Sequence, residues 1–337
     1  MSYSSIPEDP YAFARISVMK GKLLKKADYD KLMKMHTGEI IKTLQDHGYS
    51  EDLAVAETKH AGSLLVEKAV AKNLEKTYQK LMRITNESLS QLIQLYLDRN
   101  DIWNLKNVLR AVNSGMREGV EELLLPVGSI SKLELVNLLK KNSVKDVTDS
   151  LKQKLGKTEF SGISDIENHL TKNYYENALK KAESLPVQGE AMKNFIMAEV
   201  RTLNIITILK MKAAQAQVPA ILNCMIGQQN TLTKTLISAQ TLEAAFDILE
   251  KSEFKQSAIE GRKEWEENKS LVTVETSLYR ALLRKNLLLL RKDPLSIDII
   301  LGYLFAKSIE AKNIRLISKG KELGLDMQFI EKELIIA

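Results

Sequence analysis

Apolar positions along this chain follow helical spacing, and the spacing recurs. The segment LYLDRNDIWNLKNVLRA from Leu95 aligns without gaps to FIMAEVRTLNIITILKM from Phe195, and its core aligns again to IEAKNIRLI in the last third, which superposes Asn104, Asn204 and Asn313. Each Asn has a charged residue three positions earlier (Asp101, Arg201, Glu310) and apolar residues one and four positions later: Leu105 and Val108, Ile205 and Ile208, Ile314 and Ile317. On a helix this spacing puts the apolar pair on one face and the charge one turn below the Asn.

Two further landmarks keep the same order. At 38 or 39 residues before each Asn, Val66-Glu67, Ile166-Glu167 and Val274-Glu275 open helical stretches, with Val70, Leu170 and Leu278 four positions on. Earlier still, Leu32, Ile40 and Leu44 match Leu139, Val147 and Leu151, and then Ile237, Ala245 and Leu249; these steps of eight and four are helical. Gly21, Gly128 and Gly227 precede the front helices, and breaks at Thr37-Gly38, Asn142-Ser143 and Gln240-Thr241 predict two short helices in each front segment. Any Leu-rich helical protein yields one such match by chance, but three landmarks in fixed order at a period near one hundred residues predict an all-α chain of three homologous units, 1–115, 116–217 and 218–337. Tetratricopeptide, ankyrin and HEAT units repeat at roughly 33–47 residues, so these are domain-sized copies rather than solenoid turns.

Composition narrows the picture without redirecting it. Only 15 Gly and 6 Pro among 337 residues leave little punctuation for short strands and tight turns, so long helices are favoured. The net charge of +6 is spread out: the three units carry 17, 15 and 17 Lys+Arg against 14, 13 and 16 Asp+Glu, so none is a basic module and no nucleic acid is expected as a partner. The densest run, Lys20, Lys22, Lys25 and Lys26, lacks interleaved aromatics and reads as a solvated helix end rather than a phosphate track. One cysteine, Cys224, gives neither an internal disulfide nor a CxxC pair and points to the cytoplasm. The amino-terminal MSYSSIPEDPYAF is no charged leader with an apolar core, and the longest apolar stretches, such as Ile297 to Ala306, fall short of the roughly 20 residues of a membrane helix. Membrane contact is therefore expected to be peripheral.

Candidate chemistry is sparse. The P-loop, dinucleotide, zincin and nucleophile-elbow patterns are all missing, so no catalytic residue, metal ligand or cofactor is expected. His36, His47, His60 and His169 are scattered in ordinary helical patterns, and Cys224 sits in the apolar run ILNCMI as a packing residue. The densest polar constellation is Asp98, Arg99 and Asp101 beside Trp103, yet the second copy has Ala198 and Arg201 where the first has Asp98 and Asp101. A repeated scaffold without repeated charge argues for salt bridges or an inter-unit surface rather than acid–base catalysis.

Several blocks resemble a known family: YAFARISVMKGKLL from Tyr11, the LYLDRNDIWNLKNVLRA helix, ELLLPVGSIS from Glu122, DPLSIDIILGYLFAKSIEAKNIRLI from Asp293, and an ending near LGL at Leu323. Together they are similar to the C subunit of the archaeal A-type and bacterial V/A-type ATP synthases, related to the d subunit of the eukaryotic V-ATPase. The resemblance implies three similar helical domains in a pseudo-threefold funnel. Its wide end would rest on the cytoplasmic face of the membrane proteolipid ring, and its socket would receive the foot of the central shaft made by the D and F subunits. It further implies a non-catalytic rotor component that binds no nucleotide. Asp98, Arg99, Asp101, Asn104, Arg201, Asn204, Glu310 and Asn313 are then the candidate socket-lining or inter-unit residues, while the three Asn have the alternative of capping or bridging helices within a unit. The competing function is a free cytosolic helical adaptor, and an enzyme with an unrecognised site is the third reading.

Overall fold

A computed structural model describes residues 9–156, 159–185, 189–290 and 296–336. The first residues of the Asp293 block lie outside these. The described residues hold helices and connections with no strand, so the expected all-α class is met.

The first third comprises α1 (Pro10–Lys20), α2 (Lys26–Lys34), α3 (Thr37–Leu44), α4 (Ser50–Glu57), α5 (Gly62–Ile84), α6 (Glu87–Leu97) and α7 (Arg99–Ser114). The middle comprises α8 (Val120–Leu123), α9 (Lys132–Leu139), α10 (Val144–Ser150), α11 (Lys152–Leu155), α12 (Ile163–Ser184) and α13 (Gly189–Ala213). The last comprises α14 (Val218–Cys224), α15 (Thr231–Ser238), α16 (Leu242–Glu250), α17 (Lys255–Asn268), α18 (Val272–Leu289), α19 (Ile297–Glu322) and α20 (Met327–Glu333).

Local capping explains where the front helices start. Ser131 caps α9 and Ser143 caps α10, each in a reciprocal box with an acid three residues on, Glu134 and Asp146. Asn230 and Thr241 accept from Thr233 N and Ala244 N at the starts of α15 and α16. The breaks at Asn142-Ser143 and Gln240-Thr241 thus fall where a capping side chain stands. The first break comes earlier than Thr37-Gly38: His36 takes the N-cap position and its N–H bonds Glu39, so Thr37 already lies in α3.

The Asn-bearing helix is continuous in α13 and α19 but offset in the first copy, between α6 and α7 at Asp98. Side chains take the carbonyls there: Tyr174 Oη donates to Leu95 O at 3.0 Å, Arg99 Nε to Tyr96 O at 3.0 Å and Asn100 Nδ2 to Leu97 O at 2.8 Å. Those acceptors would otherwise serve the helical ladder. The backbone of Asp98 itself stays right-handed, so the helix shifts without breaking direction.

Every landmark apolar residue is buried, but the cores they form cross between copies. Leu105, Val108 and Leu109 of α7 pack with Leu135, Val147, Ile166 and Leu170 of the next copy. Ile205, Ile208 and Leu209 of α13 pack in turn with Leu236, Ala245, Phe246, Val274 and Leu278. Ile314 and Ile317 of α19 belong to the largest cluster, with Leu32, Ile40, Leu44 and Val66 from the start of the chain. Each Asn-bearing helix therefore completes the core of the helices that follow it, and the last returns to the first. Helix α19 is buried along nearly its whole length, and Gly302 is what lets α18 come so close: a Cβ there would stand 2.8 Å from Asn286 O. Among the described residues no helix is long and apolar enough to cross a membrane.

Candidate functional site

The eight polar candidates sit at the joints between these packed helices. The repeated Asn makes one contact three times over. Asn104 donates from Nδ2 to Leu125 O and accepts from Leu125 N, both at 2.8 Å. Asn204 does the same with Ile226, both bonds at 3.0 Å, and Asn313 with Ile335 at 2.8 and 3.0 Å. The three amides are 0%, 3% and 1% exposed, so water cannot substitute for either bond. Asn suits the task because its amide presents one donor and one acceptor side by side, matching the C=O and N–H of a single extended residue. Each clamp ties the Asn helix to the segment beyond its own end.

The charge one turn below sets the entry to the next copy. Asp101, 6% exposed, accepts from Ser129 N at 2.7 Å and from Ile130 N at 3.1 Å, immediately before the Ser131 cap of α9. Gly128 makes the approach possible, since a Cβ there would lie 2.2 Å from Asp101 Oδ1. Burial pushes the Asp101 carboxyl up to about 6, against the two backbone donors that pull it down. Asp98 supports the same turn by accepting from Ser129 Oγ at 2.6 Å.

Glu310 plays the corresponding part at the return joint. It accepts from Leu24 N at 2.6 Å, one residue before Lys25 and α2, and also from Tyr49 Oη and Lys307 Nζ, each at 2.6 Å. Lys307 Nζ bonds Tyr49 Oη at 2.8 Å and stands 4.4 Å from the centre of its ring. All members of this network are buried, and a cavity of about 320 Å3 borders it at Leu24, Tyr29 and Ile335. The middle joint differs in kind: Arg201 pairs with Glu253 and lies over the Phe254 ring at 5.1 Å. The charge asymmetry seen between copies is thus a difference between joints.

Arg99 does something else. Its guanidinium grips Glu199 with two bonds, Nη1 to Oε1 at 2.5 Å and Nη2 to Oε2 at 2.6 Å, and lies 3.8 Å from the Tyr96 ring centre. Tyr96, Phe195 and Phe305 then form a run of rings at 5.7 and 6.1 Å, one ring from each of α6, α13 and α19. The three copies meet in this seam. Glu199 is absent from the sequence-based candidates although the gapless alignment held the signal, because it stands at the position of Arg99 with the opposite charge. Tyr49 and Leu24 carried no signal, since nothing local marks a residue that meets its partner across most of the chain.

A second regular pairing links neighbours. Arg110 bonds Glu167 twice at 2.7 Å and Lys210 meets Glu275 at 2.5 Å, each cation standing six residues after its Asn and each Glu belonging to the following copy's landmark. These pairs are largely exposed on the basic side and contribute little to stability individually.

Replacing Glu199 by Ala is expected to cost about 3 kcal/mol of unfolding free energy, because the Arg99 charge stays behind, four-fifths buried, without its counterion. The joint change Arg99→Met with Glu199→Leu should recover most of that loss. Urea titrations of wild type, single and double variants test this, and a single-variant loss below about 1 kcal/mol would show that solvent already screens the pair.

None of this is a reactive arrangement. Among the described residues no three His, Cys, Asp or Glu side chains gather as metal ligands. Cys224 is half-buried with Asn168 Nδ2 3.5 Å from its sulfur, and burial pushes its thiol up, away from the thiolate form.

Comparison with known proteins agrees with the family seen in the sequence blocks. The family model for the ATP synthase (C/AC39) subunit matches residues 12–333. Among curated proteins, the C subunit of the A-type ATP synthase of Methanosarcina mazei is 32% identical over 338 residues, covering 97% of this chain and 92% of that protein. The protein of the same name from Methanosarcina barkeri is 31% identical with the same coverage, and that from Archaeoglobus fulgidus is 30% identical over 97% of this chain and 96% of its own.

Proposed function

The chain belongs to the ATP synthase (C/AC39) subunit family, and from that premise we propose that it is a non-catalytic part of the central stalk, coupling the membrane proteolipid ring to the shaft formed by the D and F subunits. The match over residues 12–333 carries the proposal. Its family is that of an accessory component of the ATP synthase, and the absence of a membrane-crossing helix among the described residues is consistent with peripheral association.

In this reading the three units, 1–115, 116–217 and 218–337, stand around a pseudo-threefold axis as a funnel on the cytoplasmic face of the ring. Torque passes through it in ion-driven synthesis or in ATP-driven pumping. The packing supports such a role. A coupling part must not shear between its own units, and close-packed interiors have low compressibility. Here every unit's core is completed by its neighbour's helix, and directional polar bonds lock each joint. Because those joints differ in charge, the walls that a shaft would meet differ too.

The test is recovery from gently solubilised membranes through a tag on this chain. The proteolipid ring and the D and F subunits are expected in the same particle. Finding neither, with the chain wholly in the membrane-free fraction, would refute the assignment and favour a cytosolic adaptor.

A further inference from the structure

We infer that the groove between α1 and α5 is a docking site for an acidic amphipathic helix of another protein. Arg15, Val18 and Met19 stand on one face of α1, with Lys22 in the turn just beyond its end, and Lys76, Lys80 and Arg83 on one face of α5; these residues line a common cavity of about 730 Å3 whose floor includes Tyr303. The α5 stripe runs for two helical turns, about 10 Å of helix axis.

The charge balance sets what fits. Lys76 is committed to Asp52 at 2.7 Å, and Lys307, also at the floor, to Glu310. Glu51 also lines the cavity, 3.7 Å from the same Lys76, whereas Arg15, Lys22, Lys80 and Arg83 make no ion pair among the described residues, so cations outnumber acids in one space. That arrangement is unfavourable alone and favourable beneath an anion. The apolar part decides which anion. Val18 is 63% exposed between Arg15 and Lys22, and Tyr11, 62% exposed, continues the α1 stripe one turn back with Arg15 lying over its ring at 5.9 Å. Tyrosine and arginine beside an open apolar strip have the composition of interface centres. A phosphate would leave that strip wet. A helix with carboxylates at spacings of three, four and seven places acids against both cation stripes and apolar residues against Val18 and Tyr11. This chemistry defines the occupant whichever component of the complex supplies it, apart from the ring and shaft contacts.

The experiment uses the assembled synthase, with the photoreactive residue p-benzoylphenylalanine replacing Val18. Irradiation followed by peptide mapping should give an adduct on a helical segment with acidic residues at those spacings. Arg15→Glu combined with Arg83→Glu should lower the yield by about tenfold or more, while the same probe at Leu133, 70% exposed on α9, keeps its own pattern. Both arginines are solvent-exposed, and unchanged far-UV melting verifies the fold. A readout without charge reversal is ionic strength: raising salt from about 0.05 to 0.5 M should cut the Val18 adduct in the otherwise unaltered complex. Adducts on lipid alone, on a segment without carboxylates, or none at all would overturn the inference. So would a yield indifferent to both salt and charge reversal.

Discussion

Glu310→Ala is expected to lower the unfolding free energy by about 3–5 kcal/mol, the range for breaking a buried ion pair by removing one partner. The carboxylate is 2% exposed and accepts three bonds, from Leu24 N, Tyr49 Oη and Lys307 Nζ. Its loss leaves the Lys307 ammonium with only the Tyr49 hydroxyl and ring, and leaves the Leu24 amide with no acceptor before α2. Because this network joins α19 to the start of the chain, the loss should appear first as faster hydrogen exchange in α1 to α3, ahead of global unfolding. Denaturant titration and exchange mass spectrometry measure both. A cost below about 1 kcal/mol, or exchange that quickens evenly along the chain, would mean that the return joint does not depend on this carboxylate. Lys307→Met with Glu310→Leu separates charge from packing, since an apolar pair of similar volume should restore much of the stability.

Asn204→Ala is expected to cost about 2–5 kcal/mol. It strands the buried N–H of Ile226, worth about 1–3 kcal/mol when left unsatisfied, and leaves its C=O only the longer 3.3 Å bond from Gln229 Nε2. Asn204→Asp should be no milder, because it sets a carboxylate oxygen against the Ile226 carbonyl where a donor stood at 3.0 Å. The Ile226 amide is the direct reporter: its protection from exchange should fall in both variants, and protection equal to wild type would contradict the clamp. Asn104→Ala and Asn313→Ala remove the same pair of bonds from Leu125 and Ile335 and should cost similar amounts. Unequal costs would measure how far each extended segment can relax toward water.

These two networks show where sequence reading carries and where it stops. Asn104, Asn204 and Asn313 were legible as equivalents because the Leu and Ile residues around them repeat with them, and capping or bridging helices within a unit was among the readings open to them. Their partners Leu125, Ile226 and Ile335 were not legible, because an extended apolar residue some 21 or 22 positions on has no local mark. Glu199 was legible in principle through its register with Arg99. The offset at Asp98 was not: it comes from Tyr174 reaching the carbonyl of Leu95 from 79 residues away.

By itself the sequence determined the helical class, the order of short and long helices, two of the three breaks between the front helices and the apolar face that each landmark turns inward. All of these follow from spacings of three, four and eight residues or from capping side chains, interactions that close within a turn or two. Only the tertiary structure decided which inward faces meet. The part of each Asn-bearing helix from its Asn onward completes the core of the helices that follow it, and α19 closes onto α1, α3 and α5 at the other end of the chain. Burial of apolar surface is non-directional, so periodicity states that a face is buried without naming its partner. Polar contacts such as Arg99 with Glu199 and Glu310 with Leu24 are directional, and they become specific only once the packed helices bring those atoms within hydrogen-bond reach.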